Sequence, residues 1–133
     1  MKKIVNLAVF SLIFGVFLMG CVSSEPHIPQ PGEVTKFEGK WLVNETHLAN
    51  IKATDYSFTF KGNEFIYRRI WADPQYIGLL LEGTFYYTNN KITFIVPDRQ
   101  DRYQEWSAPY VLQGNKLSLD PSGEYPGGTF YKQ

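Results

Sequence analysis

The chain has 133 residues, 17% of them aromatic, and its 13 basic residues balance 13 acidic ones. The two signs are interspersed along the sequence, which excludes the clustered basic surface that nucleic-acid binding requires. Cys21 is the only cysteine, so no disulfide can form within the chain and buried, largely aromatic surface must supply nearly all of the stability.

The first twenty residues have the pattern of a secretory signal. Lys2 and Lys3 precede an almost uninterrupted apolar run from Leu7 to Leu18. This run is shorter than the ~20 residues that cross a bilayer core, and no basic stop signal follows it, which argues against a transmembrane anchor. We predict that residues 1–20 are a signal peptide, whose removal takes away two lysines and leaves 11 basic against 13 acidic residues, a net charge of −2.

The sequence Leu18-Met19-Gly20-Cys21 resembles the lipobox of bacterial lipoproteins. The resemblance implies that Cys21 is diacylated on sulfur, for example with palmitate, becomes the mature N-terminus and is acylated there as well. Two or three acyl chains, at roughly 0.8 kcal/mol per buried methylene, hold a protein on a bilayer where one chain would not. The alternative is a conventional signal peptide cleaved elsewhere, which leaves Cys21 as an unexplained free thiol.

The residue after Cys21 bears on the destination of the protein. Val22 stands there, so the familiar aspartate retention signal is missing. We therefore expect a lipid-anchored protein of the bacterial cell envelope. Its membrane is the outer membrane if the cell has one, and otherwise the outer face of the cell membrane.

Residues 21–36 are rich in proline and serine and contain almost no apolar side chains. A segment of this composition prefers an extended polyproline conformation, at about 3.1 Å per residue. We expect the lipidated cysteine and this linker to have no folded role, and to hold a single folded domain, residues 37–133, well away from the membrane surface.

From Gly39 onward, short aromatic or β-branched runs alternate with polar turns. Three two-residue turns are explicit: Gly62-Asn63, Asn89-Asn90 and Gly114-Asn115. Glycine and asparagine tolerate the positive φ of tight hairpin turns, so each dipeptide predicts a β-hairpin. The turns also fix the register. The predicted pairs are Lys61 with Glu64, Phe60 with Phe65, Phe58 with Tyr67, Tyr56 with Arg69, Tyr87 with Ile92, Phe85 with Phe94, Gly83 with Val96, Leu112 with Leu117, and Tyr110 with Leu119.

All three hairpins place their large side chains on one common face, whereas a register slip of one residue would scatter them over both. Together with a first and a last strand, they predict eight strands. The predicted ranges are 39–46, 55–61, 64–71, 80–88, 91–97, 103–113, 116–120 and 128–132. We predict an all-β fold, a small eight-stranded antiparallel up-and-down barrel, because closure removes both sheet edges. An open two-layer sandwich is the alternative.

An eight-stranded meander whose first strand carries Gly39-Lys40-Trp41 resembles the calycin superfamily, specifically the small bacterial lipocalin-like lipoproteins. The resemblance covers about residues 37–132. It implies that Trp41 has a structural role and plugs the closed end of the barrel. The family places a basic residue, usually arginine, over this tryptophan, and Lys132 stands at that position here. The lysine and the short length of the chain are departures from the family.

The tight turns share one end of such a barrel, so the longer connections share the other. This open rim is predicted at residues 47–54, 72–79, 98–103 and 120–127. The register places Arg69 on the inward face beside the rim, where a buried arginine needs an anion or several acceptors. The predicted ligand-binding residues are Tyr56, Tyr67, Arg69, Trp71, Tyr76, Tyr103 and Trp106.

The functional hypothesis is that Arg69 receives the anionic head of a small hydrophobic or amphipathic ligand, whose tail lies among Phe58, Phe85 and Phe94. The structural alternative is that Arg69 reaches solvent or pairs with a carboxylate, while large rings fill the barrel.

Groups suited to catalysis are sparse. His27 and His47 are the only histidines, and acidic and basic residues alternate over residues 98–105 as in a solvated, self-neutralising loop. We predict no enzymatic activity, no metal and no cofactor.

Two further function hypotheses remain open. One is a protein-binding module, an adhesin or an inhibitor of a secreted hydrolase, that acts through the rim loops. The other is a passive component of the envelope. A hollow barrel favours the small ligand, whereas a filled barrel beneath protruding rim residues favours the protein partner. The rim residues in question are Tyr76, Arg99, Tyr103 and Tyr125.

Overall fold

The computed structural model describes residues 25–43 and 53–133, so the predicted lipidation site Cys21 lies outside the described residues. The described part contains eight strands. They are β1 (Gly39–Val43), β2 (Ala53–Lys61), β3 (Glu64–Trp71), β4 (Leu79–Tyr87), β5 (Lys91–Ile95), β6 (Glu105–Gln113), β7 (Lys116–Leu119) and β8 (Gly128–Lys132). Each strand pairs antiparallel with the next and β8 pairs with β1, so the sheet closes. The predicted all-β barrel is confirmed, and the open sandwich is excluded.

Within the described ranges, no helix is long and apolar enough to cross a bilayer.

The hairpin registers agree with the turn positions in the sequence. All of the predicted pairs but one form in the structure. The exception is Gly83 with Val96, which would stand one step beyond the last pair between β4 and β5, Thr84 with Ile95. Large side chains from all three hairpins therefore point into the barrel, as the alternation predicts.

The three tight turns differ in how they reverse the chain. Gly62 and Gly114 have φ values of 62° and 59°, and among the described residues only glycines have positive φ. Glycine at the first central position is the mark of a type II′ turn, which matches the twist of the flanking strands. At Asn89-Asn90, Thr88 instead accepts the Lys91 N–H with its hydroxyl at 3.2 Å and bonds the Lys91 carbonyl through its own N–H at 2.8 Å. Thr88 thus belongs to the turn, and β4 ends before it.

β5 and β6 are each two residues shorter at the open end than predicted. The Val96 N–H bonds the Gln104 carbonyl at 2.8 Å, and the Gln104 N–H bonds the Asp101 carbonyl at 3.1 Å. These bonds form a turn, so β6 begins only at Glu105. Residues 44–46 of the predicted first strand lie outside the described residues.

Aromatic rings fill the middle of the barrel. Phe58 of β2 contacts Phe94 of β5 with ring centroids 5.2 Å apart, and Phe60 contacts Phe85 of β4 at 5.0 Å. All four side chains are at most 2% exposed. The space suggested for a ligand tail among Phe58, Phe85 and Phe94 is therefore occupied by the rings themselves, because rings from facing strands meet across the interior.

Residues 25–38, here called the strap, pack against the end of the barrel that carries the tight turns, here called the closed end. His27 and Tyr87 exchange backbone hydrogen bonds of 2.6 and 3.1 Å. Phe37 is fully buried with its ring 5.0 Å from that of Tyr87, and the Lys36 ammonium group lies 5.1 Å from the same ring. The expectation that this stretch has no folded role is wrong from His27 onward, because these contacts hold it on the barrel.

Trp41 stands at the closed end and is 1% exposed. Its indole N–H donates to the carbonyl of Phe37 in the strap at 2.7 Å. The Lys132 ammonium group lies 5.7 Å from the centre of the indole ring, within the range of a cation–π contact. The tryptophan thus links the first strand, the last strand and the strap.

Candidate functional site

Aromatic side chains from β2, β3 and the connection after β3 cover one wall of the opposite end, here called the open end. The ring of Tyr56 lies 5.9 Å from that of Tyr67 and 6.4 Å from that of Trp71. Trp71 in turn lies 6.2 Å from Tyr76, and the Arg69 guanidinium lies 5.6 Å from the Trp71 ring. These five predicted ligand-binding residues form one continuous group.

The other wall carries the two remaining predicted residues. Tyr103 and Trp106 have ring centroids 6.3 Å apart and are 8% and 4% exposed. Tyr125 joins them, parallel to Trp106 at 6.1 Å and edge-on to Tyr103 at 6.1 Å. Tyr103 was expected to protrude from the rim and is buried instead, because Trp106 and Tyr125 enclose its ring.

The hydroxyl of Tyr67 connects the two walls. Burial is the main cause that raises the pKa of Tyr67, and the neighbouring Tyr56 hydroxyl adds to it. Tyr103 acts in the same direction, whereas the positive charge of Arg69 acts against it. Side chains of both walls therefore influence the protonation of this one hydroxyl.

Three buried donor groups at the open end have no hydrogen-bond partner among the described residues. They are the Tyr67 hydroxyl, Arg69 Nε and Trp106 Nε1, here called the donor triad. Each carries a hydrogen to donate, and an unpaired buried polar group costs about 1–3 kcal/mol. Within the described ranges no carboxylate pairs with Arg69 either. Among the described residues, this end of the barrel therefore lacks an acceptor for these donors.

The connection between β7 and β8 lies beside this site. Tyr56 donates its hydroxyl hydrogen to the Gly127 carbonyl at 3.3 Å, and Tyr125 packs on the opposite wall. Tyr125 and Gly127 were absent from the predicted ligand-binding set. The rim position of residues 120–127 was the signal that pointed to them, but a connection without alternation gives no indication of which side chain turns inward.

The charged connection between β5 and β6 neutralises itself. The Arg99 Nη2 lies 2.7 Å from an Asp101 carboxylate oxygen, and this contact holds the pKa of Asp101 below its ordinary value. Arg102 pairs with Glu124 at 3.1 Å and donates to the Tyr103 hydroxyl at 2.9 Å. Within residues 25–43 and 53–133, no three His, Cys, Asp or Glu side chains are placed to hold a metal ion.

A groove of about 340 Å³ lies outside the barrel, against β3, β4 and the start of the connection after β5. Its charged side chains are those of Glu64, Glu82 and Asp98. No member of the donor triad lines it, so it is separate from the candidate site.

Alkaline conditions are expected to destabilise the protein through Tyr67. Above the ordinary pKa of about 10, the unfolded chain loses a proton that the buried folded-state hydroxyl keeps. The unfolded state then binds fewer protons, and the free energy of unfolding falls by up to about 1.4 kcal/mol per pH unit. Urea unfolding on both sides of this pKa should show a smaller loss in Tyr67→Phe than in the unchanged protein. Tyr87, whose pKa burial also raises, leaves a residual dependence in both. Equal losses would contradict the assignment.

The closed barrel of eight antiparallel strands is compatible with a lipocalin-like fold. Comparisons with protein-family models, with curated proteins and with solved structures found no match to this chain.

Proposed function

We propose that this protein is a lipid-anchored, lipocalin-like lipoprotein of the bacterial envelope that binds a small amphipathic ligand at the open end of its barrel. The observation that supports the proposal is the donor triad, in which three buried hydrogen-bond donors face no acceptor among the described residues. A carboxylate has two oxygens with about four lone-pair sites and a charge that suits Arg69. The ligand class that fits best is therefore a small carboxylate.

The filled core limits how deep this ligand reaches. Phe58 and Phe94 meet across the barrel below the triad, so only the acceptor group enters. The apolar part of the ligand would lie at the rim, against the half-buried Trp71 and the exposed Tyr76. A short or planar amphiphile satisfies these limits better than a long, fully enclosed chain.

The test is a binding screen of carboxylates, from aromatic acids to fatty acids, by native mass spectrometry and tryptophan fluorescence. Tyr67→Phe removes one donor that has no geometrically formed hydrogen bond among the described residues, although the Tyr56 hydroxyl lies nearby. A hydrogen bond to a charged group contributes about 1.5–3 kcal/mol, so we expect affinity to fall about 10- to 100-fold.

Tyr110→Phe is the matched control, because its hydroxyl bonds the Thr88 carbonyl at the closed end, away from the triad. It should leave affinity unchanged. The ligand proposal fails if no carboxylate binds the unchanged protein, or if both tyrosine variants bind as tightly as the unchanged protein does.

The membrane anchor has its own test. Cys21→Ala should abolish palmitate incorporation and release the protein from membranes, because the acyl chains that Cys21 would carry are then missing. Palmitate labelling that survives this substitution contradicts the lipoprotein assignment, while leaving the ligand proposal standing.

A second candidate function, protein binding, is favoured by the filled barrel, which is the outcome expected for a protein partner, and by an exposed apolar patch. Four exposed apolar side chains lie together at the open end of the β3–β4 hairpin: Ile70, Tyr76, Ile77 and Leu80, between 47% and 89% exposed. Such a patch is typical of a site for a protein partner. Arg99, expected on the partner-binding surface of the rim, is engaged in an ion pair with Asp101.

Pull-down from envelope extracts tests whether this patch binds a protein partner. Ile77→Ser combined with Leu80→Ser should remove a partner that binds the patch. Val111→Ser, 57% exposed on β6 and outside the patch, should retain it. Retention by the double variant would exclude the patch as the binding surface.

A further inference from the structure

The lysines in the described part of the chain are gathered at one end of the barrel. Seven lysines follow Cys21. One of them, Lys52, lies outside the described residues. The other six are exposed and stand in the strap, beside the tight turns, or where β1 begins and β8 ends. This set, here called the lysine belt, is Lys36, Lys40, Lys61, Lys91, Lys116 and Lys132.

The described arginines and most of the acidic residues lie elsewhere. The side-chain carboxylates that stand in the strap or next to a tight turn are Glu25, Glu33, Glu38 and Glu64, against six lysines in the belt. Glu33 is held by His27 at 2.6 Å, and Glu38 accepts the Gly62 N–H at 3.2 Å. Because the sequence after residue 20 carries a net charge of −2, the remainder of the molecule is negative. The closed end is therefore a positive face on an acidic protein.

The strap fixes where a membrane tether would leave the barrel. His27 is bonded to Tyr87 at the closed end, and only five residues separate it from Cys21. Six fully extended residue steps span at most about 20 Å. A strand of nine residues is about 30 Å long, and at the usual tilt of barrel strands it covers about 23 Å along the barrel axis. A tether of about 20 Å that starts at the closed end therefore keeps that end closer to the membrane than the open end.

We propose that the lysine belt is a docking surface for anionic phospholipid headgroups, and that it holds the closed end on the bilayer with the donor triad directed away from it. This inference rests on the proposed lipid attachment at Cys21. A negatively charged bilayer surface attracts each nearby lysine, which strengthens the contact roughly fivefold per residue. The attraction acts within a Debye length of about 8 Å, and the short tether keeps the belt near that range.

The experiment uses the full-length protein extracted from its membrane and reconstituted into vesicles of phosphatidylcholine alone or with phosphatidylglycerol. Amine acetylation is followed at each lysine by mass spectrometry, after intact mass has established the acyl chains. We expect belt lysines to react about fivefold more slowly on the anionic vesicles. High salt should remove the difference, because it screens the attraction.

Two variants that change the net charge by the same amount distinguish an effect of the lysine belt from an effect of the overall charge of the protein. Lys61→Gln, Lys91→Gln and Lys116→Gln remove three positive charges from the closed end. Gln75→Glu, Gln100→Glu and Ser122→Glu add three negative charges at exposed positions of the open-end connections. Lys36, Lys40 and Lys132 remain as reporters in both.

Only the first variant should lose the protection by phosphatidylglycerol. Equal acetylation on both vesicle types, or equal loss of protection in both variants, overturns the docking surface while leaving the anchor intact. An intact mass without acyl chains overturns the anchor, and the orientation with it.

Discussion

Alanine at Gly83 is expected to lower the free energy of unfolding by more than about 3 kcal/mol, or to prevent folding, because it overpacks backbone against backbone. A Cβ atom at this position would stand 1.8 Å from the carbonyl oxygen of Ile95 and 2.8 Å from its carbonyl carbon. No side-chain rotation can relieve this overlap. β4 cannot move away freely either, since Gly83 pairs with Phe65 of β3 on its other side. The methyl group must therefore open the seam between β4 and β5.

Gly78→Ala is the matched control. Its Cβ would lie 3.1 Å from the Arg69 carbonyl, which a shift of a few tenths of an ångström relieves. Urea unfolding should show a loss below about 1 kcal/mol for this variant. If Gly83→Ala were as stable as Gly78→Ala, the close approach of the two strands would be contradicted.

Gly83 also shows where inference from the sequence ends. Turn dipeptides and alternation are local signals, so they predicted eight strands and the facing residues of three hairpins. They placed Gly83 opposite Val96 but gave no measure of how closely the backbones approach. That distance depends on how the closed sheet brings β4 and the end of β5 together, which is a tertiary property.

The packing of the strap on the barrel could not be predicted from the sequence for a different reason. Its proline-rich composition indicates an extended chain, and an extended chain can pack on a barrel or remain in solvent with the same local pattern. The deciding contacts are tertiary: the His27 backbone bonds with Tyr87, and Lys36 above the Tyr87 ring. Without the strap in place, neither the short tether nor the orientation of the barrel follows.

For the candidate site, alternation predicted that Tyr67, Arg69 and Trp106 point inward. The hairpin register fixes which residues of β3 face inward, and the alternation of apolar and polar residues does the same for β6. It could not predict that their donors lack partners, because that depends on every neighbouring side chain. Nor could it show that phenylalanine rings close the interior below them. Alternation therefore predicts a ligand with an enclosed tail, whereas the filled interior fits a ligand that is held by its head group.

Replacement of Trp41 by alanine is expected to cost about 3–5 kcal/mol of unfolding free energy, as for other buried aromatic residues. The side chain is 1% exposed, and its loss leaves a cavity where β1, β8 and the strap meet. It also removes the indole donor from the Phe37 carbonyl, which is then buried without this 2.7 Å bond. Both effects act on the closed end.

The second effect makes the prediction more specific than a loss of stability. Phe37 lies in the strap, so Trp41→Ala should also loosen the backbone pairing of His27 with Tyr87. Hydrogen exchange at these two amides should become faster, relative to global unfolding, than in the unchanged protein. Trp41→Phe keeps part of the ring volume but not the donor, so we expect an intermediate stability with the same faster exchange.

Trp71→Ala provides the control, because this tryptophan is half-buried at the open end and remote from the strap. Its cost should be below about 1.5 kcal/mol, with exchange at His27 and Tyr87 unchanged. If both alanine variants lost equal stability, Trp41 would not be the residue that closes the barrel. If hydrogen exchange at the strap stayed slow in Trp41→Ala, the hydrogen bond from the indole N–H would not stabilise the strap. The remaining contacts of the strap, such as those of Phe37 and Lys36, would then hold it on the barrel.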